Sequence, residues 1–192
     1  MTRGNSTSKH ATLGQVSLAG GFTLVEMMIV VAIISVLAVV AGGAYTKYLN
    51  NARKSEVHSM FAEIRVKEEA YRAEFSTYAS SGTGETDVWP ALLGAGQGEP
   101  KAKSWASGIA GNWNNLGIAP GRSMLYCGYS IVAGLSNVAA AGTLGAAIWA
   151  SAPTTPWWYA VGVCDNDGKG PPNATFVTSF DKDTIYEQNV GN

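Results

Sequence analysis

From Met27 through Thr46 the chain runs for 20 residues without one ionised side chain, and that run limits the fold more than any other feature. It is long enough to cross a bilayer as a helix. The wider segment, FTLVEMMIVVAIISVLAVVAGGAY from Phe22 to Tyr45, is dominated by Val, Ile, Leu and Ala. At 1.5 Å per residue it spans about 35 Å. Beyond it, Tyr48, Leu49, Ala52, Val57, Met60, Phe61, Ile64, Tyr71, Phe75 and Tyr78 recur mostly at spacings of three and four. Charged residues such as Arg53, Lys54, Glu63, Arg65, Lys67, Glu69 and Arg72 take other positions. That periodicity predicts an amphipathic helix continuing the apolar one to about Ala79. Gly42-Gly43 is the only interruption, at roughly 1 kcal/mol per glycine relative to alanine, a soft point rather than a break.

What precedes the apolar run is unlike a secretory signal. Residues 1–21 are polar, rich in Ser, Thr and Gly, and hold Arg3 and Lys9 but no carboxylate. They contain no apolar core before Gly21, whereas an ordinary signal is cut after such a core. A cut at Gly20-Gly21 would instead leave the apolar segment on the mature protein. It would also leave 11 basic against 14 acidic side chains, a weakly acidic balance that supplies no basic field for nucleic acid.

One residue breaks the apolar segment. Glu26 lies four residues after Phe22, where an ionised side chain is costly unless it finds a partner. Cleavage after Gly21 creates one, because the freed α-amine of Phe22 is charged at neutral pH. A neighbouring chain displaced along a filament axis could pair its amine with this carboxylate. One buried pair then sets axial register between greasy helices, as a single buried polar residue does in a coiled coil.

Gly20-Gly21-Phe22-Thr23-Leu24-Val25-Glu26, followed by Met27-Met28-Ile29-Val30-Val31-Ala32-Ile33-Ile34, resembles the class III signal of type IV prepilins and type II secretion pseudopilins. The resemblance implies a prepilin leader over residues 1–21, cleavage by a prepilin peptidase between Gly21 and Phe22, N-methylation of Phe22, and Glu26 as the glutamate of assembly. It divides the mature chain into a transmembrane and filament-core half of the helix (22–44), an amphipathic half (45–79), and a loop and sheet domain (80–192). Ser35 and Gly42-Gly43 stand where many major pilins have glycine and proline. Major pilin, secretion pseudopilin and a minor pilin acting as adhesin or DNA receptor therefore all stay open.

The second half of the chain is less regular. Residues 80–121 turn to Gly, Ser, Pro, Ala and Trp without clear period, which reads as a long connecting loop with room for a short helical turn. Then come strand-like runs at Met124–Val132, Trp157–Cys164, Ala174–Phe180 and Thr184–Tyr186, separated by turn residues and expected to form a small antiparallel sheet. The Ala/Gly-rich stretch from Ala133 to Ala152 is either a buried loop or a packing surface for another subunit. The fold expected is α+β and type IV pilin-like: a long N-terminal helix packed on a small antiparallel sheet.

Cys127 and Cys164 are the two cysteines of the chain, and both follow the apolar run. If that run is inserted in a membrane they share its far side, where an even pair forms a disulfide. Their separation fits no CxxC metal or redox site, and closing such a loop stabilises by about 3 to 4 kcal/mol in the chain-entropy model. Asp165-Asn166-Asp167-Gly168 begins like a calcium loop, with oxygen donors at Asp165 and Asp167, yet lacks the remaining EF-hand spacing. A tight Asp/Gly turn is the plainer reading. Pseudopilins do bind calcium in this region of the fold, so calcium stays open; no other cofactor is expected.

Trp149, Trp157 and Trp158 admit a ligand platform, but aromatics in a small sheet are more often core or subunit contacts. His10 and His58 support no triad or metal site, and no phosphate-binding glycine loop precedes a helix. No enzymatic role is expected. The partners implied are copies of this chain or co-pilins, a prepilin peptidase, and an inner-membrane assembly platform with its own ATPase. The localisation implied is the inner membrane as a single-pass precursor, then an extracellular pilus or a periplasmic pseudopilus serving motility, adhesion, secretion or uptake.

Overall fold

The computed structural model describes residues 21–91, 102–105, 112–165 and 173–188. A single helix, α1, runs Leu24–Phe75, and the chain divides into two compact units at Gly42/Gly43. The helix continues through the glycine pair without a break. In the first unit every described residue from Gly21 to Gly42 is exposed. Val36, Leu37 and Val39 expose 66%, 62% and 82% of their surface. A helix this apolar on all sides has no place in water and requires lipid or other helices around it. By length and composition α1 carries a candidate membrane span.

In the second unit the amphipathic stripe finds its partner. Three short elements, β1 (Lys103–Ser104), α2 (Trp113–Leu116) and β2 (Met124–Leu125), precede the main strands β3 (Cys127–Gly134), β4 (Trp157–Cys164), β5 (Ala174–Ser179) and β6 (Lys182–Gln188). A further helix, α3 (Gly142–Ile148), lies between β3 and β4. β3 to β6 form a four-stranded antiparallel sheet in sequence order, and β1 pairs with β2. Period-two alternation in β4 decides which side chain meets which layer. Trp158, Ala160 and Cys164 join Val57, Met60, Phe61 and Ile64 of α1, with Tyr129, Ile131 and Phe176. Trp157, Tyr159 and Val161 join Val132 and Val177 on the opposite face, with Leu144, Ile148 and Trp149 packed over them. Trp157 and Trp158 are thus core residues, 1% and 0% exposed, and offer no ligand platform.

Polar groups fix helix to sheet where packing alone would allow sliding. Arg65 donates from Nη2 to the Thr178 hydroxyl at 3.1 Å, the Ser179 carbonyl at 3.1 Å and the Lys182 carbonyl at 2.6 Å, with its guanidinium 5.6 Å from the Trp158 ring centroid. Glu56 accepts from the Cys127 amide and the Tyr129 hydroxyl, each at 3.1 Å. Cys127 and Cys164 are register partners across β3 and β4 and are joined in a disulfide.

Three expectations are corrected. The helix ends at Phe75 rather than near Ala79, because Ser76 takes a left-handed φ of 57° while its amide still donates to the Arg72 carbonyl at 2.8 Å. That geometry is a helix C-terminus made without glycine. The connecting loop over 80–121 holds the short helical turn allowed for it, as α2, but also the strand β1, and Trp89 forms an isolated bridge with Tyr129. The Ala/Gly stretch holds α3, whose first turn is capped from outside. The Glu85 carboxylate accepts from the Thr143 amide at 2.9 Å, the Thr143 hydroxyl at 2.6 Å and the Leu144 amide at 3.0 Å.

Where the chain turns back from α1, Glu68 is fully buried. Its Oε2 accepts from the Ala79 amide at 3.0 Å, and its Oε1 is buried without a partner. Burial pushes the carboxyl up to about 8; the Ala79 hydrogen bond opposes this and the neighbouring Glu69 charge adds to it. The folded protein therefore binds a proton here that the unfolded chain, near its ordinary value of 4.5, gives up. Stability falls as pH rises between those two values, by at most about 1.4 kcal/mol per pH unit. Glu68→Gln, which keeps the shape of the neutral acid, is expected to remove that fall. Urea unfolding of both proteins at about pH 5 and about pH 8 checks it: the curves should differ chiefly at the higher pH, with the Gln variant more stable.

Candidate functional site

The residues singled out at the start of the helix lie together. Gly21, Phe22 and Thr23 precede α1 in non-helical conformation, and Phe22 is 76% exposed. The Gly21–Phe22 bond is therefore outside the helical hydrogen-bond ladder and accessible, as a peptidase substrate must be. A Cβ added at Gly21 meets nothing within 4 Å, so nothing in the fold itself demands glycine there.

Glu26 does not point idly from the helix. The Thr23 amide donates to Glu26 Oε2 at 2.8 Å and the Thr23 hydroxyl to the same oxygen at 2.7 Å. In return the Glu26 amide donates to Thr23 Oγ1 at 3.2 Å. This reciprocal Thr-x-x-Glu arrangement is a capping box: it satisfies amides that a helix start leaves without partners. Sequence reasoning sought Glu26's partner in the freed Phe22 amine, of its own or a neighbouring chain, and passed over Thr23, although the spacing of the two residues carries the signal. The carboxylate also sits at the positive end of the helix dipole. One side chain thus caps its own helix while keeping a second oxygen for a partner.

The other residues of interest lie elsewhere. The disulfide joins β3 to β4 inside the sheet unit, both cysteines being at most 1% exposed. Asp165 follows β4 directly, while Asp167 lies outside the described residues. Among the described residues no group of three or more His, Cys, Asp or Glu is placed to hold a metal ion.

A long N-terminal helix carrying an apolar first half and packing its second half with a four-stranded antiparallel sheet is a type IV pilin-like α+β fold. Comparison with known proteins agrees. Residues 17–42 match the family described as the prokaryotic N-terminal methylation motif. The chain is similar to the type IV major fimbrial protein FimA of Dichelobacter nodosus, 41% identical over 71 residues that cover 36% of this chain and 44% of that protein. The FimA of strain VCS1703A is 37% identical over 91 residues, covering 45% of this chain and 56% of the relative. The matches thus span about half the length of these relatives. No solved structure matches.

Proposed function

We propose that this chain is the structural subunit of a type IV pilus filament. It is made as a single-pass inner-membrane precursor, cut after Gly21 by a prepilin peptidase, methylated at Phe22, and polymerised through the first half of α1. The observation that carries this reading is the exposed Gly21–Phe22 bond directly before an apolar helix whose one carboxylate, Glu26, stands at the helix start. A plain anchor needs the hydrophobicity but neither the Gly-Gly-Phe start nor the glutamate. Before assembly the apolar face is covered by lipid; afterwards the same face packs against sibling helices. The likeness to major fimbrial proteins favours a pilus subunit over a secretion pseudopilin or an adhesive or DNA-binding minor pilin. Its role is structural, with force supplied by a separate ATPase and processing by a separate enzyme.

The test is removal of the chain from its cell. Surface filaments seen by electron microscopy should vanish and return with the intact gene. Filaments that persist while protein secretion stops would instead mark a pseudopilin.

A further inference from the structure

Strand β6 reads Lys-Asp-Thr-Ile-Tyr-Glu-Gln from Lys182 to Gln188, and period-two alternation sorts it into two sets. Ile185 packs against the core that α1 shares, and Glu187 faces the same way, 2.6 Å from Lys54 and 3.5 Å from His58. Lys182, Thr184, Tyr186 and Gln188 take the opposite face, where Tyr186 stands beside its register partner Val177, a member of the second core cluster. That face is only partly covered by α3. A groove of about 590 Å³ remains, lined by Leu144, Ala147 and Ile148 of α3, by Val177 to Ser179 of β5, and by the four β6 residues. Its volume is within the range of small-molecule sites, about 300 to 1,000 Å³.

The lining is amphipathic. Leu144, Ile148 and Val177 supply an apolar part, and Tyr186 leaves 63% of its surface exposed. The side chains of Thr184, Tyr186 and Gln188 make no hydrogen bond to another described residue, and Lys182 spends one donor on the Ile148 carbonyl at 3.3 Å. At about 3.3 Å per residue, this row of hydrogen-bonding groups is about 20 Å long. A ligand that matches it is extended, pairs repeatedly along its length, and offers an apolar surface to the ring.

Charge sharpens the class. Lys182 is the ionised residue among those lining the groove. Asp181 beside it accepts from Trp149 Nε1 at 2.9 Å and from the Ser179 hydroxyl at 2.7 Å, and Asp183, on the α1 side by alternation, lies 3.7 Å from Arg65 Nη1. With a carboxylate next to the ammonium, no net field is left to select an anion. An added protein strand fits less well than a small uncharged ligand. β6 is an edge of its sheet, but Lys182, Asp183 and Glu187 put charge along it and its register with β5 shifts between Val177 and Ser179. Both are devices by which an edge strand discourages pairing.

We propose that the groove between α3 and β6 is a binding site for a neutral oligosaccharide, which lies along β6 with one sugar ring stacked on Tyr186 and its hydroxyls paired with Lys182, Thr184 and Gln188. A saccharide joins both requirements of the lining, since its C–H face is apolar while its hydroxyls donate and accept. The site belongs to the sheet unit alone and does not rest on the filament reading.

The test uses the full chain with its disulfide intact, in micelles of a detergent that has no sugar headgroup. It is passed over immobilised trisaccharides of glucose, galactose, mannose and N-acetylglucosamine, and over trigalacturonic acid as the acidic counterpart, with binding read by surface plasmon resonance. At least one neutral trisaccharide should bind, and more tightly than the acidic one. Tyr186→Ala should weaken that binding about tenfold and Gln188→Ala about fivefold. Tyr45→Ala, which removes a ring of equal exposure outside the groove, should change nothing. Ala147→Trp fills the groove from exposed α3 and should abolish binding, which keeps the test decisive if loss of Tyr186 disturbs β6. Binding to none of the neutral trisaccharides, tighter binding of the acidic one, or binding that Tyr186→Ala and Ala147→Trp leave intact would overturn the proposal. A chain that ignores sugars but self-associates in detergent until Tyr186 is removed would assign the groove to a second copy, and would equally overturn it.

Discussion

Glu26→Ala is expected to be cut normally after Gly21 yet to build no filaments. The structure makes this experiment sharper by separating two roles for the side chain. Glu26 closes a capping box with Thr23, so an alanine there removes both the cap and the charge. Thr23→Ala weakens the cap alone, a loss typically of about 1 kcal/mol, and leaves the carboxylate for a neighbouring amine. Glu26→Gln does the reverse, because glutamine also closes a capping box but carries no charge. If axial register depends on pairing between this carboxylate and the Phe22 amine of the next chain, Thr23→Ala assembles and Glu26→Gln does not. If helix capping were the requirement, the order would be inverted. Immunoblots for the shortened product and electron microscopy of the cell surface read both steps in one strain set.

The second large effect is on processing. Gly21→Val is expected to leave full-length precursor in the membrane. Among the described residues a Cβ at this position meets nothing within 4 Å, so the substitution leaves their packing alone and its effect reports on the peptidase. A side chain that displaces a scissile bond by about 1 Å lowers the rate about a hundredfold. Pulse-chase labelling should show the precursor band persisting through the chase, and a product shortened at the normal rate would contradict the assigned cleavage position.

The parts of the fold legible in the sequence are those set by local pattern. The 3.6-residue period of Val57, Met60, Phe61 and Ile64 placed the face of α1 that the sheet covers, and β4 falls on Trp157–Cys164 as expected. The paired cysteines are joined. Elements held by distant residues were not legible. The α3 sequence contains Gly142 and Gly145, poor helix formers, and its first turn is satisfied by Glu85, more than fifty residues earlier. The helix end at Ser76 needed an αL conformation in a residue that rarely adopts it, and the turn that follows brings the Ala79 amide to Glu68, a contact no local pattern announces.

The same division holds at the candidate site. Gly21, Phe22 and Glu26 could be picked from the chain because they break the surrounding composition. Thr23 blends into it, and its part in the capping box shows only in the geometry. The charged residues of the amphipathic half could be placed only off the apolar stripe, yet Glu56, Arg65 and Glu68 each hold α1 to a specific part of the sheet unit. Periodicity locates such residues without saying what they bind.

The central claim is that the exposed bond before the apolar helix is the one cut to make a filament subunit. It is tested most directly by intact mass and N-terminal fragment analysis of the subunit from filaments sheared off the cell surface. The account predicts a chain that begins at Phe22, carries one methyl group on its N-terminal nitrogen, and keeps Cys127 joined to Cys164. A filament subunit that retains residues 1–21, or surface filaments that do not contain this chain, would contradict it.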